Sequence, residues 1–384
     1  MMLVAVTGSR SEAAEWSAEP SLSVRGDYNS NLILTSAAHE GTFGHWVSPG
    51  VKFSGSTENL EVSGKAAADF VRYYGGIEKG LTNLYFPVAV KYGLDRETLA
   101  FDGGFTRDNT LMGELLSTGV VLSFTQRNLW NLAPSWTHAF TERFSAQGTY
   151  TYSKATYENG ARLGLVDYDL HAGSGALSYQ LNERDRVQLI GNYTTFSVAA
   201  TDALRSHIAG AQLSYSHAFD ESLTATLTGG PQLVSSSINV PGGRLTDSQT
   251  IWIASGSLRK QWEDSSAELT ASREILPSGF GLLIQTERLG VTYSKDLTER
   301  VSASLTAQVY WVSAVTSKAT PFSFPENRFI YVSPRVSWKI TQWLSADLAY
   351  ARYDRTVDNP SEHAASNAAT LMFTYYPPKL TVGR

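Results

Sequence analysis

Long stretches of this chain alternate between apolar and polar residues, and few folds tolerate that pattern at such length. From Val301 the odd positions read Val301, Ala303, Leu305, Ala307, Val309 and Trp311, against Ser302, Ser304, Thr306, Gln308 and Tyr310. Leu223, Ala225 and Leu227 alternate with Thr224, Thr226 and Thr228, and Ala146, Tyr150 and Tyr152 with Ser145, Gln147, Thr149, Thr151 and Ser153. Val332, Pro334, Val336, Trp338 and Ile340 oppose Ser333, Arg335, Ser337 and Lys339. Successive side chains of a strand project to opposite faces, so each set occupies one face of a sheet. Ser, Thr and aromatic residues at these positions favour strand over helix, and no segment carries a helical stripe with caps. The chain reads as all-β.

A second repeat lies over the first. Short polar turns recur at Ser56–Leu60, Leu94–Glu97, Phe140–Phe144, Leu181–Arg184, Phe219–Leu223, Trp262–Ser265, Leu297–Val301 and Ile340–Leu344, spaced about 35–46 residues apart. Propeller blades have a similar period, about 40–45 residues, but each needs four short strands. Here each repeat holds two long strands, one tight turn and one longer loop: Gly75–Gly80, Glu158–Leu163, Asn239–Ser248, Ser317–Asn327 and Asp354–Ser366. Tight turns at one end and longer loops at the other mark a transmembrane antiparallel up-and-down β-barrel. Eight turns plus a strand before the first hairpin and one after the last give about 18 strands. Sixteen is the alternative, because Leu115–Phe140 and the region around Tyr28–Trp46 are ambiguous.

Composition agrees with a wall between lipid and water. Only 17% of residues are charged, against about 25% in soluble proteins. A net charge of −5 offers no basic surface for nucleic acid, and without cysteine there is neither disulfide nor thiolate chemistry. The longest apolar runs, such as Met1–Val6 and Tyr85–Val90, span about six residues, and a membrane helix needs about 20. Residues 1–14, with Ala13-Ala14-Glu15 near a possible cleavage point, read as a secretory leader remnant or a disordered start; residues 15–377 form the barrel and 378–384 a short tail.

The apolar alternates then face lipid and the polar ones a lumen, with Arg186, Gln188, Glu268, Gln308, Arg335, Lys339 and Asp347 as candidate lining residues. Both charge signs are present, so no strongly ion-selective ring is evident. No segment reads as an obvious plug. Phe140, Phe144, Phe219, Trp262, Trp311, Trp338 and Trp343 are candidate girdle residues, with Tyr73, Tyr74, Tyr157, Phe329 and Tyr331 near the long-loop ends.

Catalytic motifs are weak. His171 and Ser174 stand three apart, which on a strand places them on opposite faces. None of His39, His45, His138, His171, His207, His217 and His363 forms a metal-binding spacing, and His39 and His45 fall in one expected loop. Asp102, Asp108, Glu114, Asp167 and Asp169 read as an ordinary polar rim. No catalytic residue, cofactor site or metal site is assigned.

Several segments carry a family resemblance: Tyr28-Asn29-Ser30-Asn31-Leu32; Asp108-Asn109-Thr110-Leu111 with Glu114-Leu115; Pro134-Ser135-Trp136 leading into Phe140-Thr141-Glu142-Arg143; and Gly164-Leu165-Val166-Asp167-Tyr168 leading into Leu177–Arg184. The chain resembles the β-barrel porin 2 type of outer-membrane proteins, including members associated with exosortase (PEP-CTERM) and exopolysaccharide clusters. The likeness covers roughly residues 15–377. One departure is that Pro377–Arg384 follows Tyr375-Tyr376, where such barrels often end on an aromatic residue read by the insertion machinery.

The resemblance implies a Gram-negative outer-membrane barrel acting as a porin-like channel, with surface-polysaccharide export as the finer expectation. The implied partners are outer-membrane lipid and lipopolysaccharide, the barrel-insertion machinery, and polysaccharide or periplasmic export components. A barrel enzyme acting on lipid or peptide, and a plugged docking barrel, are the rival classes.

Overall fold

The computed structural model describes residues 15–120, 123–198, 204–240, 243–315, 326–358 and 361–383. Residues 1–14 and most of the expected loop at Ser317–Asn327 lie outside these. The first strands are β1 (Glu15–Asn29), β2 (Thr42–Ser56), β3 (Leu60–Gly75), β4 (Lys79–Gly93), β5 (Glu97–Asn109) and β6 (Gln126–Ala139). Next come β7 (Phe144–Tyr157), β8 (Tyr168–Gln180), β9 (Asp185–Val198), β10 (Arg205–Ala218), β11 (Leu223–Val240) and β12 (Gly243–Gln261). The last are β13 (Ser265–Pro277), β14 (Leu283–Asp296), β15 (Val301–Ala314), β16 (Asn327–Lys339), β17 (Leu344–Asp358), β18 (Ser361–Tyr375) and the short β19 (Leu380–Gly383). Each strand from β1 to β18 pairs antiparallel with the next, and β18 returns to β1. The sheet is a closed 18-stranded up-and-down barrel with one extra short strand.

The extra strand belongs to the closing seam. β1 pairs with β18 from Leu22↔Tyr375 to Asn29↔Ala368, and with β19 from Glu15↔Gly383 to Ala18↔Leu380. Pro377 and Pro378 separate the two partners. Proline cannot donate to a ladder, and the register slips by one residue across the pair, as at a bulge. Thus four of residues 378–384 continue the sheet.

All eight tight turns fall where the polar repeats predict them. Each is closed by a backbone bond such as Phe140 N to Phe144 O (3.0 Å), Phe219 N to Leu223 O (2.9 Å) or Thr341 N to Leu344 O (3.1 Å). The first polar residue caps the turn: Thr141 Oγ1 accepts from Phe144 N (3.0 Å), Asn182 Oδ1 from Asp185 N (2.9 Å) and Thr298 Oγ1 from Val301 N (3.0 Å). These side chains satisfy N–H groups that no ladder reaches. At the other end two expected loops shrink. Strands run to Val240↔Gly243 and Asp358↔Ser361, so most of Asn239–Ser248 and Asp354–Ser366 is paired. Ladder bonds there outweigh the local turn preference of Gly, Asn and Asp.

The large exposed apolar side chains, including Leu22, Val24, Leu132, Leu177, Leu213, Leu227, Leu289 and Leu348, occupy one alternation set and form the outer face. On the opposite set, cross-strand hydroxyl pairs line the bore: Ser17–Ser54 (2.8 Å), Ser216–Thr226 (2.9 Å) and Ser266–Ser294 (2.8 Å). An even-stranded closed sheet with an apolar outside is an integral membrane barrel, the type that occupies the Gram-negative outer membrane.

Candidate functional site

The bore is not empty. Residues 110–120 and 123–125 of the β5–β6 loop fold into it, although no segment reads as an obvious plug in the sequence. Asn109 Oδ1 accepts Met112 N (3.0 Å) and starts two short helical segments, Leu111–Leu115 and Leu116–Thr118; Gly119, at φ +76°, ends them. The loop reaches the far wall, where Tyr310 OH donates to Leu116 O (2.7 Å) and Thr286 Oγ1 to Thr118 O (3.2 Å).

A buried charge cluster anchors its near end. Arg127, on the inner face of β6, grips Asp108 of β5 through Nε–Oδ1 (3.1 Å) and Nη2–Oδ2 (2.8 Å). Its Nη1 lies 3.6 Å from Glu114 Oε1. Glu114 also accepts from Tyr157 OH, and its Oε2 from Gly279 N at 3.2 Å. Glu114 is only 2% exposed. Burial raises its pKa, while Tyr157 and Arg127 pull the other way. A bidentate arginine pair is among the stronger side-chain contacts, and its geometry fixes the loop's direction. Gly113 passes so close that a Cβ would lie 2.1 Å from Arg127 Nη2.

Around this anchor the bore near the long loops is apolar. Phe196, Ile208, Val234, Ile251, Tyr310, Val312 and Phe329 point inward and pack on Leu115, Val120 and Leu165 from the loops. The β13–β14 loop also turns in: Val166 N donates to Gly279 O at 2.8 Å. The β1–β2 loop adds Leu34, whose carbonyl accepts from Arg355 Nη1 (3.2 Å).

One cavity of about 340 Å³ remains between the inward loop and the wall of β1–β3 and β16–β18. Trp46, Tyr73, Tyr331 and Tyr353 give it aromatic sides, and Arg25, Asp27, Arg335 and Asp347 give it both charge signs. Arg25 Cζ lies over the Trp46 ring, 3.5 Å from its centroid, with Asp27 Oδ1 3.5 Å from Arg25 Nη2. Toward the tight turns, Ser17, Glu19, Lys52, Ser54, Ser63, Lys65 and Asp102 surround a wider polar space.

The register sets Arg186, Gln188, Glu268, Gln308, Arg335, Lys339 and Asp347 on the inner face. Arg186 Nη2 donates to Ser178 Oγ (3.0 Å), Glu268 stands opposite Arg259, Gln308 Oε1 lies against Tyr310 OH, and Ser337 Oγ donates to Asp347. They do not converge; only Arg335 and Asp347 reach the cavity.

Phe140, Phe219, Trp262, Trp311, Trp338 and Trp343 are exposed, and Phe144 stacks on Phe140 at 5.2 Å. Tyr74 is exposed, but Tyr73, Tyr157 and Phe329 are buried in the bore. Alternation parity turns them inward, so those three are core rather than girdle. Histidines pack against several of these outward rings, a contact composition did not suggest. His138 lies 4.7 Å from Phe140, His217 4.5 Å from Phe219, and His45, on β2 rather than in a loop, 5.3 Å from Tyr74.

His171 and Ser174 do face opposite ways; His171 Nδ1 shares a hydrogen bond with Tyr150 OH (2.7 Å) outside. The expected polar rim disperses. Asp102 lines the lower bore, Asp167 Oδ1 accepts Tyr157 N (2.8 Å), Asp169 faces out beside Tyr152, and only Asp108 and Glu114 meet. Among the described residues no group of three His, Cys, Asp or Glu could hold a metal ion.

No family model matches the chain. No curated protein matches it either. Among solved structures it is similar to Acinetobacter baumannii OccAB4, at 11% identity and TM-score 0.47, covering 96% of this chain and 98% of that one. It is also similar to Pseudomonas aeruginosa OccK2 (OpdF) in complex with glucuronate, at 9% identity and TM-score 0.45, covering 94% and 98%. Pseudomonas aeruginosa OccK5 (OpdH) gives 12% identity and TM-score 0.43, covering 94% and 98%.

Proposed function

We propose that this barrel is a porin-type channel of the outer membrane, whose passage for hydrophilic solutes is the cavity beside the inward β5–β6 loop. The observation that carries the reading is a bore with polar walls narrowed by inward loops, of which the β5–β6 loop is anchored on a buried charge cluster. A wall of serines, threonines and paired charges keeps the lower bore wet. The aromatic and doubly charged cavity above is where solutes are sorted. Arg186, Gln188, Glu268, Gln308, Lys339, Arg335 and Asp347 act as lining along that route, and the outer belts meet lipid and lipopolysaccharide.

Export of a surface polysaccharide is the finer reading, in line with the turn-motif resemblance. It requires the inward loop and the apolar core above it to move aside, because a chain of sugars needs a continuous bore. Among the described residues no arrangement of nucleophile and base favours the enzyme class. Planar-bilayer recordings of the purified barrel test the channel: small discrete conductances are expected, rising when Arg127→Ala frees the loop. A folded barrel silent at every voltage, in both forms, overturns it.

A further inference from the structure

Buried polar atoms without a partner gather around the cavity beside the inward loop. Trp46 Nε1, Arg25 Nε, Asn109 Nδ2 and Asp27 Oδ1 are buried atoms with no hydrogen-bond partner among the described residues. All four residues line the same cavity of about 340 Å³. Trp46 is 3% exposed and Asn109 1%. A buried donor without an acceptor costs free energy, so folded proteins keep few of them. Four around one space make a binding surface.

Strand register and the loop hold these groups in place. Arg25 and Asp27 share the inner face of β1, and Arg25 stands opposite Trp46 of β2. Trp46 is held by the Arg25 guanidinium and by an edge contact with Tyr73, their ring centroids 6.2 Å apart. Gly44, opposite Asp27, leaves room for that carboxylate, since a Cβ there would lie 2.7 Å from Oδ1. Asn109 commits its Oδ1 to Met112 N (3.0 Å), which leaves the amide nitrogen to donate elsewhere.

Their chemistry narrows the ligand. Three donors and one carboxylate oxygen call for a molecule that accepts and donates at several points, as hydroxyl groups do. Charge argues against an ion. Arg25 and Arg335 balance Asp27 and Asp347 in the lining, so a solute of either sign meets its own kind there. Trp46, Tyr73, Tyr331 and Tyr353 add apolar ring surface, with Tyr331 and Tyr353 5.2 Å apart. Small-molecule pockets run from about 300 to 1,000 Å³, so this one holds a single ring rather than a chain. A ring with hydroxyls on its rim and C–H groups on its faces meets every one of these conditions.

We propose that this cavity binds one neutral hexose in its pyranose form. Trp46 Nε1, Arg25 Nε and the Asn109 amide donate to the sugar's oxygens, and Asp27 Oδ1 accepts from a hydroxyl. The C–H face of the ring lies on the aromatic wall. Because Asn109 also starts the helical segments of the inward loop, sugar and loop share a residue. The role of this site in transport rests on the channel reading; the binding itself does not require conduction.

The test is calorimetric titration of the purified barrel, in a polyoxyethylene detergent that carries no sugar head, with glucose, glucuronate and glucosamine. Glucose is expected to bind about tenfold more tightly than either charged ring, because each of those meets a like charge in the lining. Trp46→Phe keeps the aromatic surface and removes one donor, and is expected to weaken glucose binding about tenfold. Asp27→Asn leaves Arg25 without its counter-charge and is expected to turn the preference toward glucuronate. Bilayer recordings on the same samples read the channel separately. Glucose binding by a barrel that never conducts keeps the site and overturns the channel; conduction without glucose binding does the reverse. Charged rings that bind the native barrel as tightly as glucose, or glucose binding unchanged by both substitutions, overturn the hexose site.

Discussion

The two ends of the bore are built on the same strands and obey the same alternation, yet they are different media. Near the tight turns the inward set is Ser17, Lys52, Ser54, Ser63 and Asp102, and the space they enclose is wide and polar. Near the long loops the same set becomes Phe196, Ile208, Val234, Ile251 and Phe329, packed against the loops. Alternation therefore specifies which side of the wall a residue occupies; what lies on that side depends on whether a loop folds down to meet it. The outer end is a folded core held in place by one ionic anchor, and the inner end is a vestibule.

The sharpest way to erase the difference is to cut the anchor. Arg127→Ala leaves Asp108 and Glu114 buried without their cation, a loss of about 3–5 kcal/mol for a broken buried pair. We expect the inward loop to become protease-sensitive and the conductance to rise. Phe196→Ala attacks the core itself: its side chain is fully buried, and such truncations cost about 3–5 kcal/mol. Thermal unfolding read from the electrophoretic shift of the folded barrel should move down, whereas Leu227→Ala on the lipid face should move it much less.

Gly113→Ala tests the fit of loop to anchor. The added methyl meets the Arg127 guanidinium, and crowding of this kind costs about 1–3 kcal/mol, visible as raised open probability without loss of the barrel. pH gives a gentler handle. Glu114 binds its proton more tightly when the loop is docked than when solvated, since burial raises its pKa. Protonation therefore favours docking, the docked form being strengthened as pH falls through that raised value and weakened as pH rises above it. Conductance should drop on acidification, and Glu114→Gln should flatten that dependence. Least disruptive is Arg186→Gln in the vestibule, expected within about 0.5 kcal/mol of the parent stability but shifting cation–anion preference in reversal-potential measurements.

How much of this could be read from residues follows from how local each cause is. The turns were legible because Thr141, Asn182 and Thr298 cap their own neighbours within three residues. Strand faces were legible because alternation is local too. The anchor was not, since Asp108 and Arg127 are 19 residues apart, and neither spacing nor composition points to their meeting. A signal did exist. Asp108-Asn109-Thr110-Leu111 with Glu114 contains a helix-starting Asn, a glycine at 113 and an acid amid apolar residues, which is odd for a solvated rim. Tyr73, Tyr157 and Phe329 misled for a related reason: an aromatic near a strand end serves a belt or a core equally well, and only parity across the finished barrel decides.

The seam where β1 receives both β18 and β19 also sets the order of assembly. Ser23 is bonded to Thr374, 351 residues away along the chain. Contacts of such separation are slow to form, because a large loop must be ordered before they return any stabilisation. Until nearly the whole strand array is laid down, β1 and β18 are two raw edges facing water or lipid. Closure of this seam is therefore expected to be the last pairing to form, and the two edges stay uncovered by each other until then.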